Sequence, residues 1–310
     1  MTGDAHVDAA GIETTCYKHT NRSTAVQCTR CDKYICPDCM REAPVGFRCP
    51  ECVKAESKTV RQGRTLFGGR PVHTPWATYT LILLNVLAYL AELVDPKLVD
   101  RFDVIGVTLR GADGAYYVAD GTRYAGFGPA GVAHGEWWRL FTGAFLHELP
   151  GSSGIGLTHI LFNMIWLWTL GRILEDRLGR IRFLAIFFVG VLGSSVMVVV
   201  LDPAGGAIGE SGAGFALVAA YFILSRRMHE LPLDPRQLII GTVLWLVLSA
   251  GFASWQGHLG GLLAGGLAAL GIVFAPRARR TAWQAAALGG VTLVFVVLLV
   301  AALRLRDLAS

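Results

Sequence analysis

Seven apolar segments lie between residues 76 and 303, and each has the composition of a helix buried in lipid. An α-helix needs roughly 20 apolar residues to cross a bilayer core that is about 30 Å thick. Hydrophobic residues make up 53% of the 310-residue chain and charged residues only 16%, which is more apolar material than one soluble core requires. The segments are 76–94, 157–175, 182–201, 211–225, 236–250, 254–275 and 283–303. The sequence therefore predicts an all-α polytopic membrane protein with seven transmembrane helices.

The charges between these segments predict the orientation of the chain, because short cytoplasmic loops carry an excess of Lys and Arg. The loops rich in basic residues are 171–182, 225–236 and 276–280, and those without any are 202–210 and 251–257. We therefore expect a multi-pass protein of the cell membrane with a cytoplasmic N-terminus, an extracytoplasmic C-terminus and an external connection over 95–156. The first fifty residues contain no apolar stretch that would serve as a secretory signal, which agrees with this orientation. The net charge of +5 is explained by these loops, so no nucleic-acid partner is expected.

Four polar side chains occur at membrane depth, where such groups need a partner or a function. They are Ser211, His258, His159 and Asn163. Counted at about 1.5 Å per residue from the basic ends of their helices, the first three share one layer below the outer face. Segment 211–225 is too short to span the bilayer core, so the Gly-rich loop before it must enter the membrane to reach Ser211. Irregular backbone at that depth is tolerated only where it lines a water-filled cavity or is buried in protein. Water is therefore expected to reach Ser211.

A serine needs a base within hydrogen-bond reach to act as a nucleophile, and His258 is the candidate. It lies in a segment where glycines at 257, 261 and 265 form a flat face for close packing against the glycines around Ser211. His159 and Asn163 are spaced i and i+4, so both can direct donors to one point. Together with the backbone N–H of Ser211 at a helix N-terminus, they could stabilise an oxyanion.

Each of these residues alone has a more ordinary explanation. A serine or a glycine repeat on a small-residue helix face usually serves packing, and a lone transmembrane histidine is more often structural or part of an ion path. The occurrence of all four polar groups at one depth, beside a truncated helix, favours a hydrolytic site.

The same residues give the chain a resemblance to the rhomboid family of intramembrane serine proteases. The motifs that carry it are HILFN (His159, Asn163), GESG (Gly209, Ser211, Gly212), GHLGGLLAG (His258, Gly261, Gly265) and WWR (Trp138, Arg139). The resemblance covers about residues 74–303 and implies a rhomboid-like bundle with a six-helix core and one further C-terminal helix. It implies that Ser211 is the nucleophile, that His258 is the general base, and that His159 and Asn163 form the oxyanion hole.

The activity that the resemblance implies is that of an intramembrane serine endopeptidase. Such an enzyme hydrolyses peptide bonds in or near transmembrane segments of membrane-protein substrates by a Ser-His dyad, without a cofactor for catalysis. The alternative is a pseudoenzyme or adaptor that binds transmembrane clients and recruits a cytosolic partner through its N-terminal region; the intact Ser211 and His258 argue against it. A transporter fits poorly, because the polar groups cluster near one face.

Glu210 departs from the pattern of the family, in which the residue before the serine is commonly small or apolar. Gly214 and Ala216 also stand where Val and Gly are frequent. These departures leave the dyad intact but bear on substrate preference and pH behaviour. We favour the interpretation of Glu210 as a helix N-terminal carboxylate that faces the water cavity and needs no chemical role.

The N-terminal region holds all seven cysteines and one histidine in four pairs with identical spacing. The pairs are Cys16 and His19, Cys28 and Cys31, Cys36 and Cys39, and Cys49 and Cys52. Eight such ligands suit two tetrahedral structural zinc ions, whereas an odd cysteine count and a reducing cytosol oppose disulfides. The order resembles a B-box-type finger, which implies that the first pair joins the third and the second joins the fourth; sequential pairing is the alternative.

These patterns divide the chain into five parts. We expect a disordered tail over 1–11, a B-box-like double zinc finger over 12–55, a basic linker over 56–73, a rhomboid membrane protease domain over 74–303 and a short C-terminal tail over 304–310.

Overall fold

The computed structural model describes residues 14–59, 63–118, 125–151, 156–249 and 254–307. Contacts divide the chain into two compact units, Met1–Gly63 and Arg64–Ser310, and the division falls inside the predicted linker. The predicted disordered tail lies outside the described residues, as do residues 308–310 of the predicted C-terminal tail.

The first unit is small and has little regular structure. Strands β1 (Arg41–Glu42) and β2 (Phe47–Arg48) form an antiparallel pair, a 3-10 turn covers Pro37–Cys39, and helix α1 covers Pro50–Thr59. Its buried centre consists of Ile35 and five cysteines, Cys16, Cys28, Cys36, Cys39 and Cys49. A core made largely of thiols is typical of a domain that depends on metal ions for its stability.

The second unit is built from helices, which begin and end close to the predicted apolar segments. They are α2 (Trp76–Val94), α3 (Lys97–Phe102), α4 (Arg139–Thr142), α5 (Gly156–Trp166), α6 (Arg172–Leu178), α7 (Arg180–Leu201), α8 (Ser211–Ser225), α9 (Pro235–Ser249), α10 (Trp255–Val273) and α11 (Arg280–Asp307). Helix α11 runs beyond the predicted segment 283–303 at both ends, so residues 304–307 are helical where a tail was expected.

Among the residues that the structure describes, five helical stretches are long and apolar enough to cross a membrane. They are Trp76–Val94, Gly156–Leu178, Arg180–Leu201, Trp255–Val273 and Arg280–Arg306. The apolar helices Ser211–Ser225 and Pro235–Leu248 are shorter. The outer surfaces of the bundle carry exposed large apolar side chains, such as Leu87 on α2 and Val247 on α9, as expected of helices that face lipid. The number of helices that cross the bilayer remains a prediction.

The stretch Gly156–Leu178 is continuous but contains a π-helical turn at Leu167–Gly171, between α5 and α6. Gly171 lies against Thr78 of α2, where an added Cβ would be 2.9 Å from the Thr78 methyl group. The close approach of two helices at a wider turn is a feature that apolar periodicity does not predict.

Small residues let α7, α8 and α10 pack against one another at short distance. A Cβ added to Gly261 of α10 would lie 1.9 Å from the carbonyl oxygen of Gly212 in α8. One added to Gly265 would lie 2.2 Å from the Cβ of Ala216, and one added to Gly193 of α7 would lie 2.2 Å from that of Ala264. The predicted glycine face of α10 is therefore a helix-packing surface, and it fixes the spacing between the two helices that carry Ser211 and His258.

The connection between α2 and α5 is itself structured. Strands β3 (Thr108–Arg110), β4 (Tyr116–Tyr117) and β5 (Gly128–Ala130) form a small antiparallel sheet in the order β4-β3-β5. Short 3-10 turns at Val132–His134 and Gly143–Phe145 flank α4. Val104 and Ala207 exchange two backbone hydrogen bonds of 2.9 Å, so this connection supports the loop that precedes Ser211.

Candidate active site

Ser211 is the first residue of α8, and the loop before it is held in a conformation that glycine permits. Gly209 has φ +109°, a region that L side chains rarely adopt. Its N–H donates a hydrogen bond of 2.9 Å to the carbonyl of Gly143, in the turn after α4. The loop therefore delivers Ser211 to the start of a helix, where the first backbone N–H groups have no partner within the helix.

The hydroxyl of Ser211 lies 2.9 Å from Nε2 of His258, in hydrogen-bond contact. His258 belongs to the first turns of α10, whose N-terminus is capped by Ser254, which accepts a hydrogen bond from the N–H of Gly257. The imidazole stacks on the ring of Phe215, with 4.4 Å between centroids and 10° between planes. Phe215 is one turn after Ser211 on α8, so the helix that carries the hydroxyl also orients the imidazole.

His159 and Asn163 of α5 both lie against the backbone of Gly209. A Cβ added at Gly209 would be 2.7 Å from Nε2 of His159 and 3.3 Å from Nδ2 of Asn163. The N–H of Glu148 donates to Nδ1 of His159 over 3.2 Å, so the neutral ring carries its proton on Nε2, the nitrogen that faces Gly209. Within the described residues, Nδ2 of the buried Asn163 has no hydrogen-bond partner. Two nitrogen donors thus converge on the loop beside Ser211.

A cavity of about 460 Å³ opens over this group. The side chains of Ser211, His258, His159 and Asn163 line one side of it. The other walls are largely apolar and come from α5 and α9: Phe162, Trp166, Leu238 and Trp245. A cavity with a few convergent polar groups and apolar walls suits an apolar ligand that carries a polar reacting group.

Glu210 also lines this cavity, as expected from its position at the threshold of α8. Its residue surface is only 1% exposed, and neither carboxylate oxygen has a hydrogen-bond partner among the described residues. The side chain stands at the N-cap position but makes no capping hydrogen bond to α8. Glu210 therefore lies at the helix N-terminus as predicted, but its carboxylate oxygens are buried and make no capping hydrogen bond, and its role stays a prediction.

The WWR motif contributes through Arg139, whose side chain is fully buried behind the loop. Its guanidinium pairs with Glu136 at 2.7 Å and with Asp103, and donates to the carbonyl of Asp100 at 3.0 Å. Burial raises the pKa of Glu136, but the hydrogen bonds from Arg139 and from the N–H of Gly131 outweigh it and hold this pKa below its usual value. Arg139 therefore fixes the connection between α2 and α5, which supports Gly209, and does not line the cavity.

Three further buried polar side chains were not predicted, and one of them, His147, lies near His159. The ring of His147 is 5.2 Å from that of His159, and the N–H of His147 donates to Oε2 of Glu92 over 3.0 Å. Burial lowers the pKa of His147 to about 3, so this ring is neutral. Asn85 is fully buried on the same helix as Glu92. Glu92 and Asn85 of α2 could have been predicted from the sequence, since each is a strongly polar residue inside an apolar segment.

Glu175 of α6 is a second carboxylate that sequence analysis missed. It is fully buried and accepts hydrogen bonds from the N–H groups of Ala77 and Thr78 and from the Thr78 hydroxyl, at 2.8 to 3.1 Å. These N–H groups belong to the first turn of α2, where they lack partners within the helix. Glu175 thus caps α2 from a neighbouring helix and has a structural role.

The first unit brings its eight predicted ligands into two groups. One group is Cys16, His19, Cys36 and Cys39, and the other is Cys28, Cys31, Cys49 and Cys52. The ligand atoms of each group lie within 4.8 Å of one another, which is the order that the B-box resemblance implied.

The donors fit a tetrahedral zinc site. Thiolates bound to zinc at about 2.3 Å lie about 3.8 Å apart, and Sγ of Cys31 lies 3.7 Å from Sγ of Cys49. Nδ1 of His19 faces the sulfurs of Cys36 and Cys39 at 3.2 and 3.4 Å. Backbone N–H groups donate to the sulfurs of Cys28 and Cys49, and such hydrogen bonds orient a ligating sulfur. Both groups could hold a metal ion.

Comparison with known proteins relates the second unit to one family. Residues 134–276 match the family model described as the Rhomboid domain. Rhomboid protease GluP of Bacillus subtilis (strain 168) is 36% identical over 144 residues, which are 44% of this chain and 26% of GluP. YdcA of the same strain, which also carries a rhomboid-protease name, is 32% identical over 140 residues, which are 44% of this chain and 67% of YdcA.

Rhomboid protease GlpG of Salmonella choleraesuis (strain SC-B67) is 35% identical over 139 residues, 42% of this chain and 46% of GlpG. The chain thus spans about a quarter of the length of GluP, under half of GlpG and two thirds of YdcA. The segment that matches the family model contains Ser211, His258, His159 and Asn163. The chain belongs to the rhomboid family.

Proposed function

We propose that the chain is an intramembrane serine endopeptidase that hydrolyses peptide bonds in or near transmembrane segments of membrane proteins. The observation that carries this proposal is the 2.9 Å contact between Oγ of Ser211 and Nε2 of His258 in a cavity with apolar walls. The protease names of the relatives support the same reaction.

In the proposed first step, Oγ of Ser211 attacks the carbonyl carbon of the scissile bond while Nε2 of His258 takes the hydroxyl proton. When the tetrahedral intermediate collapses, the C–N bond breaks, and the imidazolium gives that proton to the leaving amine. An acyl-enzyme ester on Ser211 remains. The stacking of the imidazole on Phe215 keeps Nε2 directed at the hydroxyl through both transfers.

The negative charge on the carbonyl oxygen needs donors that are in place before the reaction. We assign this role to Nε2–H of His159, to Nδ2 of Asn163 and to the unpaired N–H groups at the start of α8. The hydrogen bond from Glu148 supports the assignment of the His159 tautomer, and the unpartnered amide of Asn163 supports its availability as a donor.

The ester is hydrolysed by a water that His258 deprotonates, which restores Ser211. A second cavity, of about 20 Å³, adjoins the site and is lined by Ser194, Ser195 and Ser254 as well as by Ser211 and His258. About 10 to 15 Å³ of such volume holds one water. This pocket supports a supply of water to the dyad.

The proposal is tested with purified full-length protein and a fluorophosphonate probe, which labels activated serines. We expect labelling of wild type at Ser211 and cleavage of a detergent-solubilised transmembrane substrate. Ser211→Ala and His258→Ala should each lose both, because removing either member of such a pair costs about as much as removing both. Undiminished proteolysis by the Ser211→Ala protein would refute the assignment.

We further propose that the N-terminal unit binds two structural zinc ions through the eight Cys and His ligands, outside the chemistry of cleavage. The loop charges support a cytoplasmic N-terminus, seven crossings and an extracytoplasmic C-terminus. A cytoplasmic zinc-binding unit offers a surface for a protein partner. Reporter fusions at the two termini, active on opposite sides of the membrane, test the orientation.

A further inference from the structure

Three arginines of the membrane unit, Arg64, Arg182 and Arg280, meet around Gly68, and the proposed reaction does not use them. Arg182 belongs to the first turn of α7, and Arg280 is the first residue of α11. A Cβ added at Gly68 would lie 3.4 Å from Nη2 of Arg182 and 3.5 Å from Nη1 of Arg280. Nη1 of Arg64 donates to the carbonyl of Gly68 over 3.2 Å. We call these three residues the arginine cluster.

The hydrogen bonds of the arginine cluster go to uncharged acceptors. Nη1 of Arg280 donates to the carbonyl of Leu66 at 2.9 Å, and Nε of Arg182 donates to the side-chain oxygen of Gln284 at 2.8 Å. Among the described residues, no carboxylate forms an ion pair with any of the three arginines. Because guanidinium groups stay charged in proteins, the fold brings together three positive charges that repel one another unless an anion joins them.

The arginine cluster keeps donors that a ligand can reach. Arg64 is exposed, and Arg182 and Arg280 are only partly buried. None of their nitrogen atoms is among the buried polar atoms of the described residues that lack a hydrogen bond. A guanidinium carries five N–H donors, and its planar fork matches the oxygens of a phosphate group. The cluster can therefore bind a phosphate with donors from more than one arginine.

The position of the arginine cluster places it at the level of a membrane surface. Helices α7 and α11 are both long and apolar enough to cross a membrane, and the cluster lies at their N-terminal ends. A helix N-terminus carries a partial positive charge, so both helix ends add to the potential of the cluster. The basic loops predict that this end faces the cytoplasm, where the membrane leaflet contains anionic lipids.

Exposed apolar side chains beside the arginine cluster favour a lipid over a free anion. Ile181, next to Arg182 in α7, is 81% exposed, and Trp283, one turn after Arg280 in α11, is 57% exposed. Leu66, whose carbonyl accepts a hydrogen bond from Arg280, is 52% exposed. Acyl chains can cover such side chains, whereas a dissolved phosphate cannot, and tryptophan is enriched at membrane interfaces.

We propose that the arginine cluster is a binding site for the phosphate group of an anionic phospholipid. The guanidinium groups donate to the phosphate oxygens, and the acyl chains lie against the exposed apolar side chains of α7 and α11. The bound lipid thereby links the turn at Gly68 to the ends of both helices. None of the three arginines lines the cavity of Ser211, so this inference does not depend on the proposed protease function.

The first test measures lipid binding to full-length protein in a neutral detergent by native mass spectrometry. Phosphatidylglycerol is compared with phosphatidylcholine of the same acyl chains, which carries no net charge. We expect wild type to bind phosphatidylglycerol at least about tenfold more tightly, because one basic residue near a membrane surface typically contributes about fivefold. Equal affinity for the two lipids would overturn the proposal.

Variants of the arginine cluster test where the lipid binds. Arg182→Gln combined with Arg280→Gln should leave the two affinities within about twofold of each other, and Arg64→Gln, at an exposed position, should lower the preference about fivefold. Arg236→Gln is the matched control, because Arg236 is an exposed arginine in the first turn of α9, and it should change the preference less than about twofold. A loss of preference in Arg236→Gln as large as in Arg64→Gln would show diffuse attraction to basic residues and overturn the site.

Thermal unfolding of the same proteins distinguishes a lipid from a dissolved anion. Phosphatidylglycerol at about ten times its Kd should raise the Tm of wild type by about 3–6 °C and leave that of the Arg182→Gln, Arg280→Gln protein unchanged. Inorganic phosphate at millimolar concentration should not raise the Tm of wild type. If inorganic phosphate raises this Tm as much as the lipid does, the ligand is a free anion and the assignment to a phospholipid is wrong.

Discussion

At the scale of single residues, Gly209 has the most constrained position in the candidate site. Its φ of +109° excludes most side chains, and the two proposed oxyanion donors occupy the space that a Cβ would take. The same loop residue thus sets both the path of the backbone into α8 and the distance of His159 and Asn163 from Ser211.

We therefore expect Gly209→Ala to reduce cleavage by at least about 10²-fold, because a misplacement of about 1 Å at a reacting group has an effect of that size. Gly214→Ala is the control, since its added Cβ would meet only a Trp166 carbon at 3.8 Å, an ordinary contact. The measurement is kcat/KM on one transmembrane substrate, with thermal unfolding to verify that both variants fold. Equal activity of the two variants would contradict the proposed geometry around Gly209.

Asn163 gives a second prediction at this scale. Replacing it by Ala removes one of several oxyanion donors, each typically worth about 10²–10³ in kcat. We expect Asn163→Ala to lower kcat within that range with little change in KM, and His159→Ala to have an effect between that of Asn163→Ala and that of the dyad variants. Steady-state kinetics in detergent measure both. If both variants stay within about twofold of wild type, the oxyanion role is wrong.

The polar residues that were predicted from the sequence differ from those that were missed in the kind of partner that each one contacts. Ser211, His258, His159 and Asn163 were predicted because several weak signals coincided at one depth, and the structure brings the first two into contact and the other two beside Gly209. Glu92 is an equally clear polar residue in an apolar segment, but its partner, the backbone N–H of His147, lies 55 positions away in a loop. A backbone donor leaves no trace in the sequence.

At the scale of helices, the contact between α8 and α10 determines whether Ser211 and His258 can meet. Gly261 of α10 packs directly on the backbone of Gly212, the residue after the proposed nucleophile. Any side chain at Gly261 would push the two helices apart.

We expect Gly261→Ala to destabilise the protein by at least about 2 kcal/mol, within the range for overpacking, and to abolish cleavage. Gly266→Ala in the same helix is the matched control, because its nearest neighbour would be the Cβ of Ala219 at 3.6 Å. Thermal unfolding in detergent and substrate cleavage measure the two effects. Wild-type stability of the Gly261→Ala protein would refute the close contact between α8 and α10.

The connection between α2 and α5 gives a prediction about a buried ion pair. Replacing Arg139 by Ala leaves the buried carboxylate of Glu136 and the partly buried carboxylate of Asp103 without their cation, and breaking such a buried pair typically costs about 3–5 kcal/mol. We expect a large fall in Tm and a loss of cleavage, because the same segment holds Gly209 through Gly143. Arg101→Ala is the control, since Arg101 is an exposed arginine of α3. A Tm for Arg139→Ala like that of the control would show that the network contributes nothing to stability.

The positions of the long helices were predictable, and their irregularities were not. Runs of apolar residues bounded by loops located the helices to within a few residues, because lipid imposes a length on them. The π-helical turn at Leu167–Gly171 lies where Thr78 of α2 approaches Gly171, and strands β3 and β5 in the connection between α2 and α5 pair residues about 20 positions apart. Such tertiary contacts are not encoded in local periodicity.

At the scale of the whole molecule, the chain combines two units with different sources of stability. The membrane unit has an extensive apolar core that includes Leu167, Phe183 and Leu217. The N-terminal unit has a core built largely from cysteine side chains. We expect a unit of this kind to be stable only when metal ions bind its thiolates, because it buries too little apolar surface to offset the entropy of folding.

Purified full-length protein should therefore contain two zinc ions per chain, measured by elemental analysis. Cys16→Ser should reduce the content to about one, and so should Cys28→Ser, because each removes a ligand from a different group. Cys→Ser changes keep the size of the side chain but remove the thiolate. A content below two in wild type would contradict the two-site assignment.

The last prediction concerns the dependence of cleavage on the N-terminal unit. All residues assigned to the reaction lie between 159 and 258, and the boundary between the two units falls between Gly63 and Arg64. A chain that begins at Arg64 retains Leu66 and Phe67, whose carbonyls accept hydrogen bonds from Arg280 and Gln284 of α11, so the contacts of the membrane unit are kept.

We expect this shortened chain to react with the fluorophosphonate probe and to cleave a detergent-solubilised substrate within about threefold of the full-length rate, a difference of less than about 0.7 kcal/mol in the barrier. Removal of zinc from the full-length protein by a chelator should likewise leave the rate within that range. A shortened chain with the thermal unfolding of the membrane unit intact, yet unreactive toward the probe, would show instead that the zinc-binding unit controls the dyad.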